Sequence, residues 1–437
     1  MDRLPRLSLF PLTAEVNGQG HLVIGGCDSV ELAAEFDTPL YVFDEFSLRS
    51  KCTEFKEEFG QRYRDTTVIY AGKAFLNKAL AIILKDEGLG LDVVSAGELG
   101  IAQSVGFPLD RVYFHGNNKS AEEIRLALEV QIGCLVVDNF HELTMLGEIA
   151  KEMNAQTDIL LRLSPGIDPH THQYIATGVI DTKFGFPLAS GEEAVAQAIR
   201  VPNLNLVGLH FHLGSLIFNT EPYQRAIELI LSLAAKMKLK YGFELKELNV
   251  GGGFAIQYAL DAPAPPVSAY AEAIASKVIS KCQELELLLP RLTVEPGRAI
   301  VGPAGIALYR VGAVKDIPGI RCYVSVDGGI ADNIRPALYG AKYEAIVANK
   351  TSEAETKEVT IAGKFCESGD ILVKDINLPP VSAGDIIAIP DCGAYCLPMA
   401  SNYNASFKPA IVLVREGKAR LIRRRETVDD LTRCDLA

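Results

Sequence analysis

Between about residue 66 and residue 298, a short β-branched or apolar run ends in small or polar residues and gives way to an amphipathic stretch, eight times over. The runs are TVIYAGKA from Thr67, GLDVVSAGE from Gly90, RVYFHGNNK from Arg111 and CLVVDN from Cys134. They continue with DILLRLSPG from Asp158, LVGLHFHLGS from Leu206, LKELNVGGG from Leu245 and RLTVEPGR from Arg291. Helix candidates between them are Asn77–Glu87, Ser120–Gln131, Glu142–Met153, Glu221–Lys240 and Ser268–Leu288. Strands alternating with helices favour a parallel sheet, and eight such units in roughly 230 residues predict an α/β fold built on a closed (β/α)8 TIM barrel. A doubly wound open sheet is the alternative.

Beyond Gly302 the pattern changes to short strands broken by Gly and Pro: IALYRVGAVKDI, CYVSVDGG, KEVTIAGKF, DIIAIPD, PAIVLVREG and KARLIRR. Near the N-terminus, HLVIGG and PLYVF could add strands to the same sheet. The predicted organisation is a barrel inserted into an all-β domain: N-terminal strands over 1–45, barrel over 46–301, β domain over 302–437.

Composition narrows the class. Of 437 residues, 48% are hydrophobic and 22% charged, which excludes a disordered tail or a coiled coil. The 43 Lys and Arg against 55 Asp and Glu leave a net charge of −12, so no general basic surface meets a phosphate backbone and nucleic acid is not an expected partner. No apolar run approaches the roughly 20 residues of a membrane span, and MDRLPRLSLFPL is too proline-broken for a secretory signal. The nine cysteines contain no C-x-x-C pair. The nearest two, Cys392 and Cys396, lie far in sequence from His170 and His172, so neither a metal site nor a disulfide framework is expected. A cytoplasmic protein with reduced thiols and no membrane partner is the expectation.

In such a barrel, chemistry sits at the C-terminal strand ends. Those ends carry Lys73; Asp92, Ser95 and Glu98; His115, Asn117 and Asn118; Arg162; His210, His212 and Ser215; Gly251–Gly253; and Glu295 with Arg298. A lysine buried at a strand end is costly unless it is used, and a buried amine with a lowered pKa is what Schiff-base chemistry requires. Three glycines after a strand let backbone N–H groups approach an anion, with Ser215 as a further donor, although a tight turn reads the same way. Glu295 could hold a pyridinium proton or simply pair with Arg298. Taken together, lysine, cradle and carboxylate describe pyridoxal 5′-phosphate.

The chain resembles the fold type III, alanine-racemase-like pyridoxal-phosphate decarboxylases, nearest to their diaminopimelate branch, from PLYVFD near Pro39 to SNYNASFKPA near Ala410. YAGKA matches the cofactor-lysine motif at Lys73, DVVSAGE and HGNNK match strand ends two and three, and HTHQYIATGVIDTKFG from His170 is typical of that branch. The resemblance implies that His212 stacks on the cofactor ring and that Ser215, Gly253 and Tyr395 contact its phosphate. It places the EPGR residues Glu295, Pro296, Gly297 and Arg298 along the cofactor, with Glu295 at the pyridine nitrogen. Arg298, Arg335, Tyr339, Glu367 and Tyr395 match substrate contacts, and Cys366 matches the catalytic thiol beside the catalytic Lys73. Four positions depart from the pattern: Gly72 stands where a larger residue is common, Leu216 where Gln is usual, and Lys364 and Phe365 before Cys366 where Pro and an aliphatic residue are more usual.

What the resemblance implies is decarboxylation of meso-2,6-diaminopimelate to L-lysine and CO2, the last step of lysine biosynthesis, in a homodimer with shared active sites. A related decarboxylase of the ornithine, lysine or carboxynorspermidine type is the alternative. Two arginines with one glutamate match a whole amino-acid headgroup, which favours the diacid. His170 and His172 are candidates for a polar loop cluster, and His115 either supports its turn or touches the cofactor. The cysteines other than Cys366 read as small core residues or inert thiols.

Overall fold

The computed structural model describes residues 5–168 and 181–436. The chain forms two compact units, one of Cys52–Ala255 with Ala264–Gly297 and one of Met1–Lys51, Ile256–Pro263 and Arg298–Ala437. In the first unit, eight strands run Thr66–Ala71, Gly90–Val93, Val112–Phe114, Cys134–Val137, Thr157–Ser164, Leu204–His210, Glu247–Asn249 and Arg291–Val294. They are numbered one to eight below. Each pairs in parallel with the next, and strand eight returns to strand one with Leu292 opposite Thr66. That pairing closes the ring, so the barrel forms and the open-sheet alternative falls.

The strands read as unbroken apolar runs because both faces are buried. Ile69, Tyr113, Cys134, Val136, Leu160 and Val207, from strands one, three, four, five and six, form one buried cluster. Strands one and five lie on opposite sides of the ring, so this contact runs through its interior. All five predicted helices appear, shifted by a few residues at their ends: Lys78–Asp86, Ala121–Glu129, Phe140–Glu152, Glu221–Tyr241 and Val267–Glu284. Their starts follow local chemistry. Asn77 caps the Leu80 N–H, and Ser120 forms a reciprocal box with Glu123. The helix Glu221–Tyr241 ends on Gly242 in the left-handed conformation. No helix among the described residues is long and apolar enough to cross a membrane.

The second unit is built on a β-sheet drawn from both ends of the chain. Leu40–Asp44 pairs antiparallel with Gly305–Leu308 on one side and parallel with Ala410–Val414 on the other. PLYVF is thus an interior strand of the C-terminal sheet, as predicted. HLVIGG is not: Leu22–Ile24 pairs with Glu15–Val16 and Cys27–Asp28 in a separate three-stranded sheet. It shares the core all the same, since Leu22 and Ile24 lie in one buried cluster with Leu40, Val42, Ile306, Leu308 and Val412. Burying each such side chain contributes about 1.5–3 kcal/mol, and backbone hydrogen bonds from Leu22 N to the Ala348 carbonyl at 2.8 Å and from Gly417 N to the Gly25 carbonyl at 2.7 Å fasten the small sheet as well. Beyond residue 302 the only α-helices among the described residues are Arg298–Val301's successors Arg335–Tyr339 and Val428–Thr432, five residues each.

Candidate active site

Lys73, His212, Ser215, Gly253, Glu295, Pro296 and Gly297 lie on the barrel unit, whereas Arg298, Arg335, Tyr339, Cys366, Glu367 and Tyr395 lie on the β unit. Strand one ends at Ala71, and Lys73 falls in the single 3-10 turn Gly72–Ala74 beyond it. Ala71 and Ala74 are buried, but the Lys73 side chain is exposed. The expected burial of this lysine is therefore corrected: the turn takes it off the apolar strand. Neighbours crowd the turn's backbone closely. A Cβ at Gly72 would stand 2.7 Å from the Asp92 carbonyl oxygen, and one at Gly297 would stand 3.0 Å from the Cβ atoms of Ala71 and Ala74. The Pro296 carbonyl accepts from Ala71 N, so the EPGR loop is clamped against the lysine turn.

Glu295, just past strand eight, is buried. Asn249 Nδ2 donates to its Oε1 at 2.7 Å, and His210 Nε2 lies 3.3 Å from its Oε2. His115 Nε2 approaches Oε1 to 3.0 Å and Asp92 Oδ1 to 3.8 Å, with a ring orientation poorly aligned for a hydrogen bond. Burial pushes the Glu295 carboxyl up, but His115 and His210 more than offset it and hold it well below the usual carboxylate range. His210 is pushed down to about 4, chiefly by burial, so at neutral pH it donates as a neutral imidazole. Glu295 thus has histidine and amide partners where a plain ion pair with Arg298 was one expectation. His115, just past strand three, faces this carboxylate. Ligand-type atoms of His115, His210 and Glu295 fall within 4.8 Å of one another. An amide nitrogen with no lone pair for a metal already holds one carboxylate oxygen, so the arrangement is a hydrogen-bonded carboxylate. At strand end two, Ser95 and Glu98 serve a helix start: Ser95 Oγ accepts from Glu98 N, and Glu98 Oε2 accepts from Val94 N.

The glycine turn after strand seven is built for close approach. A Cβ at Gly252 would sit 2.1 Å from the Glu295 carbonyl oxygen. At Gly253 the backbone is left-handed, φ +104°, and a Cβ would meet the Gly214 carbonyl at 2.5 Å. Tyr223 donates to the Gly252 carbonyl at 2.8 Å. The peptide plane is trans, so the Gly253 N–H points the opposite way from that carbonyl. His212, half-buried, accepts at Nδ1 from Gly252 N at 3.0 Å, which places the proton of its neutral ring on Nε2. Desolvation and then the Lys73 charge push His212 well below the usual histidine range. Ser215 opens the loop that passes beneath the cradle, and the departure Leu216 takes a left-handed φ of +58° there.

On the β unit the two arginines meet. Arg298 Nη1 donates to the Tyr258 hydroxyl at 2.6 Å and Arg335 Nη1 donates to the same oxygen at 3.0 Å. Arg335 also donates to Tyr343, and the Arg298 guanidinium lies over the Tyr395 ring at 4.6 Å. Tyr395 reaches it from a left-handed backbone, φ +61°. Burial would lower Arg335, but Tyr258 and Tyr343 outweigh it and hold its pKa above the ordinary arginine value. Tyr339, on the helix Arg335–Tyr339, directs its hydroxyl to Met399 Sδ at 4.0 Å. Cys366 and Glu367 sit on an exposed loop. Cys366 N donates to Asn404 Oδ1 at 3.1 Å, and the Asp370 carboxylate pins the loop's flanks through Phe365 N and Ile330 N. His170 and His172 lie outside the described residues.

Three residues central to this geometry were not singled out from sequence: Asn249, Tyr258 and Tyr343. Asn249 had a signal, an amide residue two positions before the three glycines. The tyrosines had none, because an aromatic in a loop is usually core.

Pyridoxal 5′-phosphate asks a protein for an amine, a cradle for its phosphate and an acceptor for its ring N–H, and the barrel offers all three beyond its strand ends. Fold and site together define a pyridoxal-phosphate enzyme. The family model "Pyridoxal-dependent decarboxylase, pyridoxal binding domain" matches residues 46–302. Diaminopimelate decarboxylase of Bacillus subtilis (strain 168) is 47% identical over 426 residues, 97% of each chain. That of Synechocystis sp. is 44% identical over 441 residues, covering 99% of this chain and 93% of its own. The crystal structure of diaminopimelate decarboxylase from M. jannaschii in complex with L-lysine superposes with a TM-score of 0.91 at 36% identity, covering 98% of both chains. The chain belongs to the diaminopimelate decarboxylases. It is a carboxy-lyase, and its cofactor is pyridoxal 5′-phosphate.

Proposed function

We propose that the chain converts diaminopimelate to lysine and CO2 with the residues described above in definite roles. Lys73 holds the cofactor through its amine, His212 stacks on the ring, and Ser215, Gly253 and Tyr395 take the phosphate. Glu295 accepts the ring N–H, with Pro296, Gly297 and Arg298 lining the same edge. Bound there, pyridoxal 5′-phosphate supplies an electron sink for the bond pair left when CO2 departs. Cys366 delivers a proton to the α-carbon, and Glu367 holds the distal ammonium of the substrate. Arg298 and Arg335 hold the distal carboxylate, with Tyr339 and Tyr395 beside them. The active protein is a homodimer in which Cys366 and Glu367 act on the partner's cofactor, and their exposed loop supports this. The modules are the barrel over 46–301, the β domain over 302–437 and the N-terminal strands over 1–45. A cytoplasmic location agrees with nine free cysteines.

The observation that carries the substrate choice is the convergence of Arg298 and Arg335 on one tyrosine oxygen. A diamine-forming decarboxylase has no carboxylate left to meet two buried guanidiniums, whereas diaminopimelate keeps one. CO2 release should be compared for meso-diaminopimelate, lysine and ornithine at equal concentration. The diacid is expected to react at least about a hundredfold faster in kcat/KM, in keeping with the loss of charged hydrogen bonds. Comparable turnover of ornithine or lysine would overturn the assignment.

A further inference from the structure

Asn249 is the last residue of strand seven, fully buried, and it uses both ends of its amide. Nδ2 donates to Glu295 Oε1 at 2.7 Å, and Oδ1 accepts from Gly251 N at 2.9 Å. These partners leave the amide one orientation, since only nitrogen can donate to a carboxylate and only oxygen can accept from an N–H. The backbone closes the same loop, with Glu295 N donating to the Gly251 carbonyl at 2.9 Å. Gly251 opens the glycine cradle, and Glu295 is the buried acid. One side chain therefore spans the two ends of the cofactor site.

We propose that Asn249 is a positioning residue that couples the ring-nitrogen end of the cofactor site to its phosphate end. It aims the ionised Glu295 carboxylate and sets the start of the glycine cradle, and it rests on the assignment of Glu295 to the ring nitrogen made above. The charged and titratable groups around Glu295 are His115 just past strand three, His210 and His212 at the end of strand six, Asp92 from strand two and Arg162 from strand five. Glu247, two residues before Asn249, also acts on the acid electrostatically. Among these, Asn249 is the neutral donor that supplies a proton to Glu295 without titrating. Its contribution does not change with pH.

The isosteric variant Asn249→Asp tests this. It sets a second carboxyl against Glu295 across a 2.7 Å contact, where the pair holds one shared proton to higher pH than a lone carboxyl would. At about pH 6 the shared proton preserves the contact. As pH rises the proton is lost and like charges meet. The dissociation constant for pyridoxal 5′-phosphate, relative to wild type at each pH, is expected near unity at about pH 6 and at least about tenfold weaker at about pH 8.5. Asn249→Ala should weaken cofactor binding roughly ten- to a hundredfold at every pH. It should also narrow the preference for pyridoxal 5′-phosphate over pyridoxal, because the cradle loses its anchor. Far-UV circular dichroism identifies any variant that fails to fold, and the isosteric one keeps the proposal testable if Asn249→Ala does not.

Glu295→Gln is the control that separates the two assignments. If it leaves cofactor affinity and the pH titration of the bound cofactor's absorbance unchanged, the Glu295 assignment fails and this proposal falls with it. If Glu295→Gln alters both while the Asn249 variants match wild type, only the role of Asn249 is overturned. Asn249→Asp losing affinity by the same factor at every pH, alongside a lower melting temperature, would mean simple structural damage and would also overturn it.

Discussion

The barrel and the β unit each bury charge beside the proposed chemistry, and they leave opposite signs behind. In the barrel, one carboxylate, Glu295, is held ionised by a neutral amide and two imidazoles. In the β unit, two guanidiniums are held by phenol oxygens and aromatic faces. Among the buried acids of that unit, Asp391 is the one these two arginines act on; its Oδ2 is unpartnered, and burial pushes its carboxyl well above the usual range against the pull of Arg335 and Arg298. A buried charge that its surroundings neutralise only in part keeps part of its field for a ligand. The barrel is therefore preset for a cation such as a protonated ring nitrogen, and the β unit for an anion such as a carboxylate. Neither sign could be read from the net charge of −12.

The largest expected effect breaks the comparison at its root, by asking whether the two halves serve one site across two subunits. Lys73→Ala on the barrel and Cys366→Ala on the β unit should each be nearly inactive alone. When equal amounts are unfolded and refolded together, random pairing makes half the dimers mixed, each with one intact and one doubly damaged site. Recovery of about a quarter of wild-type activity per site follows from symmetry. A dead mixture, with mixed dimers demonstrated by mass, would mean that the two residues meet within one chain.

A smaller effect sharpens the anion side. Arg335→Lys keeps the positive charge but loses the planar fork that a carboxylate accepts in two bonds. kcat/KM for diaminopimelate should fall roughly tenfold, mostly through KM. Product lysine still carries the retained carboxylate, whereas pentane-1,5-diamine carries none, so the ratio of their inhibition constants reads the same contact. That ratio should narrow in the variant. An unchanged ratio would take Arg335 out of substrate recognition.

The barrel was legible because its signal is periodic and repeated. Strand ends fall within a residue or two of the apolar runs, and the rule that chemistry sits at those ends led directly to Lys73, the glycines and Glu295. Three features were less legible, and for physical reasons. Lys73 was expected to be buried because it follows an apolar strand, but it falls in a 3-10 turn past the strand end, where its side chain is exposed, and no periodicity encodes a single turn. HLVIGG was expected in the main sheet because β-patterning gives strands but not their partners. The tyrosine cage of Arg298 and Arg335 joins residues 258, 343 and 395 through tertiary folding, which no local window spans.

The smallest expected effect tests the sign of the β unit most directly. If Asp391 is protonated at neutral pH, Asp391→Asn replaces a neutral carboxylic acid with a neutral amide of the same shape. The left-handed φ of +56° at this position also suits asparagine. Activity with diaminopimelate should stay within about threefold of wild type and stability within about 0.5 kcal/mol near pH 5. Stability should then diverge with pH. An acid whose folded-state pKa is raised holds a proton that the unfolded chain gives up above about pH 4. Wild-type stability from this group is therefore lost as pH rises toward the folded pKa, while the amide variant has no such slope. Thermal unfolding of both proteins from about pH 5 upward should show Asp391→Asn gaining on wild type until the pH passes the folded-state pKa. If the variant instead loses tenfold in kcat/KM and gains nothing with pH, Asp391 is an ionised counterion. The arginine pair would then be half neutralised within the protein, and the contrast between an anionic barrel site and a cationic β-unit site would have to be redrawn.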